Sequence, residues 1–160
     1  MMMHLCSDIL NALQGKTLVT AESCTGGGIG AAITAVSGSS KVYKGGIISY
    51  SNEIKAQQLH VPADVLRREG AVSGAVAEAM AAGAREVLAA DVAVSVTGLA
   101  GPDGDEFGNP VGTVFIGYAD QRVNLSKKYL FSGNREEIRQ AAIKAALELI
   151  LEQNENILRV

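Results

Sequence analysis

Residues Thr17 to Ala21 form an apolar, β-branched run, and the chain then passes through Glu22, Ser23, Cys24 and Thr25 into three consecutive glycines, Gly26, Gly27 and Gly28. The run suits a buried strand, and the apolar-rich stretch from Ile29 to Val36 suits a helix. A strand that turns through glycines straight into a helix is the building unit of an open α/β fold, and such folds gather their active sites at that turn. Glycines let backbone approach a ligand closely, and the first amides of the following helix favour anions. Four side chains able to do chemistry therefore occupy the most telling position in the chain.

The remaining sequence reads as further α/β units. Leu5, Ile9, Leu10 and Leu13 keep a helical period that ends near Gly15. Gly45 to Ser51 reads as a second strand, and Asn52-Glu53 caps a short helix that runs to about Leu59. Pro62-Ala63-Asp64 opens a helical turn closed at Gly70, and Ser73 begins an alanine-rich helix to about Ala89 whose small side chains imply close packing on a sheet. Val92 to Thr97 is a third strand, after which residues 98–112 form a long loop that either carries function or is disordered. Thr113 to Ala119 and Val123 to Phe131 flank Asp120-Gln121-Arg122 as an antiparallel hairpin, so the sheet is mixed. A final helix starts around Gly133 and buries Ile138, Ala142, Ala145, Ala146, Leu149 and Ile150 along one stripe. No repeat or linker divides residues 1–160, which read as a single domain.

Charge and cysteine usage narrow the function. Fourteen basic against seventeen acidic residues leave a net charge of -3, which provides no electrostatic footprint for nucleic acid, so the expected partner is a small molecule. The first residues lack a basic segment followed by an apolar run, and no stretch reaches membrane-spanning length; a cytoplasmic protein without membrane contact is expected. Cys6 and Cys24 read as free thiols, and together with His4 and His60 they lack any ligand spacing for zinc. The alanine-rich helix and the scarcity of aromatics suggest a homo-oligomer.

Several motifs compete for the chemistry. Gly26-Gly27-Gly28-Ile29-Gly30-Ala31 fits a loose dinucleotide fingerprint with Glu53 as ribose ligand, but that fingerprint needs its first glycine at the strand end, where Glu22 to Thr25 intervene. Close helix-to-strand packing explains the glycines equally well. No phosphate loop, GxSxG elbow, HExxH or Ser-x-x-Lys tetrad is present. A serine nucleophile would need a base, and His60, between Leu59 and Val61, reads as an ordinary partly buried histidine. Lys55 is the better candidate, because it sits in the first turn of a helix, where the dipole and burial both disfavour its ammonium form; the plain alternative is a solvated surface lysine. Cys24, near a helix N-terminus that favours a thiolate, competes with Ser23 as nucleophile, and the residues alone leave that choice open. Asp103, Asp105 and Glu106 lack the order of a calcium loop and read as a solvated rim. Arg135 and Arg139, four apart on one helix face, would either hold a phosphate jointly or pair with Glu136 and Glu137.

Five ordered motifs carry a resemblance: Thr20-Ala21-Glu22-Ser23-Cys24-Thr25-Gly26-Gly27, Ser49-Tyr50-Ser51-Asn52-Glu53-x-Lys55, Gly70-Ala71-Val72-Ser73, Thr97-Gly98-x-Ala100-Gly101-Pro102-Asp103-Gly104 and Pro110-Val111-Gly112-Thr113-Val114. Together they resemble the CinA C-terminal domain family, which includes bacterial nicotinamide mononucleotide deamidases. The resemblance implies an α/β fold arranged as a three-layer α/β/α sandwich with a mixed, mostly parallel sheet, and an amidohydrolase that needs no metal or organic cofactor.

It further implies a dyad in which Lys55 takes the proton of Ser23, whose hydroxyl attacks the carboxamide of nicotinamide mononucleotide. The product would be nicotinate mononucleotide, in pyridine nucleotide recycling. Backbone amides of Cys24 to Gly27 are the natural oxyanion donors, and Tyr50 and Thr97 are second choices as orienting hydroxyls. Glu22, Thr25, Gly98, Ala100 and Gly101 complete the expected substrate surround, with Arg135, Arg139 and the glycine turn set against the 5′-phosphate. The alternative is a non-catalytic nucleotide-sensing or partner-binding module of the same fold, linked to competence and DNA damage. Two features depart from the family: many members carry an N-terminal domain that this sequence does not include, and Asn134 follows Gly133 where an aspartate is common.

Overall fold

The computed structural model describes residues 2–158. Five strands, β1 (Leu18–Glu22), β2 (Tyr43–Ile48), β3 (Val92–Gly98), β4 (Thr113–Ala119) and β5 (Asn124–Leu130), form one sheet in the order β2-β1-β3-β4-β5. β1 runs parallel to both β2 and β3, whereas β4 and β5 are antiparallel additions made by the hairpin. Helices α1 (Met2–Ala12), α2 (Gly28–Thr34) and α6 (Arg135–Leu158) cover one face; α3 (Asn52–Leu59), α4 (Ala63–Glu69) and α5 (Gly74–Val87) cover the other. The architecture is the expected α/β fold, a mixed sheet between two helical layers.

Each face has its own core. Ile9, Leu13, Ile29, Ile33 and the α6 stripe of Ile138, Ala142, Ala146 and Ile150 pack on one side of the sheet. Leu59, Val76, Met80, Ala81 and Ala84 pack on the other, where small residues bring α5 onto β3 and β4. The interior strand β1 is buried along its whole length, as a strand covered on both faces must be.

Chain order places the site. The β1–α2–β2 crossover lies on one face and the β2–α3–α4–α5–β3 connection on the other, so the chain turns to opposite faces beyond the C-terminal ends of the neighbouring strands β1 and β2. Open α/β sheets form their ligand crevice at such a switch point. The pairing runs past the strands themselves, with Ser23 N–H donating to Val96 O at 3.0 Å and Ser49 N–H to Glu22 O at 2.8 Å.

Element ends differ from the sequence expectation in two informative places. β2 spans Tyr43 to Ile48, shifted towards the N-terminus relative to Gly45–Ser51, because Ser51 leaves the sheet to become the N-cap of α3. Its Oγ accepts from Ile54 N–H at 3.2 Å, so the cap is Ser51 and not Asn52. Residues 99–112 are ordered without helix or strand. Asp105 accepts from Phe107 N–H, Asn109 N–H and Asn109 Nδ2, while Asn109 Nδ2 also donates to Val72 O and ties the segment to the start of α5.

Candidate active site

The turn after β1 is organised around a buried carboxylate. Glu22, the last residue of β1, is 2% exposed, and its oxygens accept from Thr20 Oγ1, Thr25 Oγ1, Ile29 N–H and Gly30 N–H at 2.7 to 3.1 Å. Those amides belong to the first turn of α2, so the anion that the helix N-terminus attracts is supplied by the chain itself. This corrects the expectation that Glu22, Thr25 and the amides of α2 face a ligand. They lie behind the turn and shape it. Gly27, at φ 105°, has the left-handed conformation that lets the chain enter α2 there.

On the other side of the turn lies a cavity of about 250 Å³. Its walls include Ser23 and Cys24 from the β1 turn, Tyr50, Asn52 and Lys55 from the entry to α3, and Ala71 and Val72 from the α4–α5 link. Thr97 to Gly101, Asp103 and Arg135 complete them. Of the expected site residues, Ser23, Lys55, Cys24, Tyr50, Thr97, Gly98, Ala100, Gly101 and Arg135 are brought together. Glu22, Thr25, Gly26, Gly27 and Arg139 are not in the wall. Asn52 and Asp103 join it without having been assigned there; the only signal was their place inside the Tyr50 to Lys55 and Thr97 to Gly104 motifs.

Lys55 is 1% exposed, although it is a lysine on the first turn of a helix. Its Nζ donates to Ser23 Oγ at 3.1 Å, Ser49 O at 2.8 Å and Tyr50 O at 3.3 Å, which satisfies all three protons of an ammonium. Burial nevertheless lowers its pKa from an ordinary 10.5 to about 8. In the neutral amine the two carbonyls keep both remaining protons, and the lone pair is left directed at the Ser23 hydroxyl. The helix supplies the position and burial supplies the shift.

Cys24 behaves in the opposite way. Burial pushes its thiol up to about 11, so the charge environment expected to favour a thiolate is outweighed by desolvation. Of the two adjacent nucleophiles, only Ser23 has a base in contact.

The two arginines separate in function. Arg139 donates through Nε to Cys24 O at 3.1 Å and through Nη2 to Thr25 O at 3.2 Å, and pairs with Glu136. It braces the turn from outside the cavity, so a joint phosphate clamp with Arg135 is not formed. Arg135 reaches Gly101 O and donates to Tyr50 OH at 3.1 Å, and it has no carboxylate partner among the described residues. Thr97 Oγ1 donates to Ala71 O at 2.8 Å, which leaves its lone pairs for the cavity. Gly26 N–H is bound to Ser23 O at 3.0 Å, while the amides of Cys24, Thr25 and Gly27 have no partner among the described residues.

Comparisons with known proteins bear on the family and the fold. The model of a family described as the CinA C-terminal domain matches residues 2–154. A CinA-like protein of Synechococcus sp. (strain RCC307) is 49% identical over 150 residues, covering 91% of this chain and 36% of the relative. One from Geobacter sulfurreducens is 48% identical over 135 residues, covering 84% of this chain and 33% of the relative. The chain thus spans about a third of the length of these curated relatives. Among solved structures, the competence/damage inducible protein CihA from Agrobacterium tumefaciens superposes with a TM-score of 0.92 at 37% identity, over 96% of this chain and 95% of that one. A competence-damaged protein (CinA) superfamily protein from Escherichia coli superposes with a TM-score of 0.93 at 35% identity, over 96% of this chain and 90% of that one.

Proposed function

Because the chain belongs to the CinA C-terminal domain family, we propose that it is an amidohydrolase that converts nicotinamide mononucleotide to nicotinate mononucleotide and ammonia. The observation that carries this reading is the 3.1 Å contact between Ser23 Oγ and a buried lysine whose pKa has fallen to about 8. A lowered lysine pKa beside a hydroxyl in a cavity is the arrangement that a general base requires, and this favours the enzyme over a binding module.

Neutral Lys55 takes the proton of Ser23 Oγ as that oxygen attacks the carboxamide carbon. The resulting ammonium is held by Ser49 O and Tyr50 O, which already accept from Nζ. The tetrahedral oxyanion meets the unpaired amide of Cys24, at the turn that the Glu22 network keeps rigid. Lys55 then returns a proton to the departing nitrogen, ammonia leaves, and an ester to Ser23 remains. With Lys55 neutral again, a water molecule is activated in the same way and releases the acid. Arg135 is the cation for the 5′-phosphate, its guanidinium being held at the rim by neutral acceptors.

The test is turnover of nicotinamide mononucleotide by the purified chain, read as ammonia and nicotinate mononucleotide, in the wild type, Ser23→Ala, Lys55→Met and Cys24→Ala. The first two variants are expected to lose at least about a thousandfold in kcat, and Cys24→Ala to keep most of its activity. Turnover that survives Ser23→Ala overturns the dyad. A wild type that binds the nucleotide in calorimetry without hydrolysing it supports the sensing module instead.

A further inference from the structure

Asp103 stands apart from the polar groups around it. Asp105 is held by Phe107 and Asn109, Asn109 by Val72, and Thr113 Oγ1 donates to Pro110 O, so the segment's own geometry is maintained by other residues. Gly112 N–H donates to Leu99 O and Phe131 N–H to Gly112 O, which fastens the segment at its far end to the sheet. Asp103 is exposed and lines the cavity, and its carboxylate makes no hydrogen bond or ion pair with any described residue. It contributes nothing visible to the fold.

Its place in the cavity suggests what it contacts. In the proposed reaction Ser23 and Lys55 act on the carboxamide, and Arg135, which reaches Gly101 O, is the cation for the phosphate; all three line the cavity with Asp103. Asp103 follows Gly101 by two residues. We propose that Asp103 binds the vicinal ribose diol of the substrate, accepting a hydrogen bond from each hydroxyl, and so makes the enzyme selective for ribonucleotide amides. A carboxylate is acceptor-only and offers two oxygens, which matches two adjacent hydroxyl donors. The charge of the pyridinium ring offers a weaker partner: an exposed ion pair is worth less than about fivefold in affinity, whereas hydrogen bonds to a charged group reach about tenfold to a hundredfold. The proposal rests on the amidohydrolase reading of the same cavity.

The experiment compares kcat/KM for nicotinamide mononucleotide and its 2′-deoxy counterpart in the wild type, Asp103→Asn and Asp103→Ala. The wild type is expected to prefer the ribonucleotide about 30-fold, mostly through KM. That ratio falls close to one in Asp103→Ala, and Asp103→Asn, which keeps one acceptor, lies between. A ratio undiminished in Asp103→Ala overturns the diol contact while the hydrolysis stands. If that variant loses equally on both substrates, the carboxylate serves the ring charge or the loop, and the proposal is again overturned. A wild type that hydrolyses neither substrate removes the amidohydrolase reading and this inference with it. The thermal midpoint of Asp103→Ala, expected to match the wild type, guards against a folding effect.

Discussion

In the proposed reaction a single buried amine, Lys55, decides whether Ser23 can act. A serine hydroxyl is inert without a base, and the neutral form of Lys55 is the one that can act. With the pKa near 8, the active fraction rises with pH, so kcat/KM is expected to climb about tenfold per unit below pH 8 and to level off above it. A pH–rate profile that is flat between 6 and 8 would contradict this. The same shift has a stability signature. Between about pH 8 and the unfolded value near 10.5, the unfolded chain holds a proton at Lys55 that the folded chain has released, so stability rises with pH across that window. Urea titrations at pH 8 and pH 10.5 are expected to show this rise in the wild type relative to Lys55→Met. The sequence singled out Ser23, Cys24 and Lys55, but their ranking needed burial, which raises the thiol and lowers the ammonium at the same turn.

At the scale of elements, two close approaches define the frame. The first turn of α2 is anchored on the Glu22 carboxylate by two amides, with two hydroxyls closing the cage. Glu22→Gln turns one acceptor oxygen into a donor facing donors, and the expected loss is about 3 kcal/mol of stability, measured by urea unfolding. Activity is expected to fall with it, because the Ser23 turn is part of the cage. The second approach is between α5 and the end of α3. A β-carbon on Gly83 would lie 1.9 Å from the Leu59 carbonyl oxygen, which is backbone and has no rotamer by which to withdraw. Alanine gains about 1 kcal/mol in helix propensity over glycine, but overpacking of this kind costs about 1–3 kcal/mol or more, so Gly83→Ala is expected to be net destabilising in thermal melts. The alanine-rich composition announced tight packing. Which glycine was indispensable followed only from where the helices cross.

For the molecule as a whole, the cavity collects residues from the β1 turn, the start of α3, the α4–α5 link, the end of β3 with the segment after it, and the start of α6, so a ligand there joins parts distant in the chain. Nicotinate mononucleotide at about 100 times its Kd is expected to stabilise the fold by about 2.7 kcal/mol, roughly 5–10 °C in Tm for a chain of this length. A midpoint unmoved by saturating nucleotide in a thermal-shift assay would count against the site. Among the described residues no helix is long and apolar enough to cross a membrane. The sequence by itself determined the alternation of elements, the hairpin at the end of the sheet and the family, and it singled out Ser23, Cys24 and Lys55 as candidates, since these follow from local periodicity and ordered motifs. The tertiary structure decided which of the nearby polar groups face the cavity. Glu22 and Arg139 look like ligand contacts in one dimension, yet one fills the helix N-terminus and the other braces the turn. Asn52 reads as a helix cap and Asp103 as part of a solvated rim, and both line the cavity. Hydrogen-bond partners and desolvation depend on groups distant in the chain, such as Arg139 and Cys24, and only the packing of the sheet and its two helical layers brings them within reach.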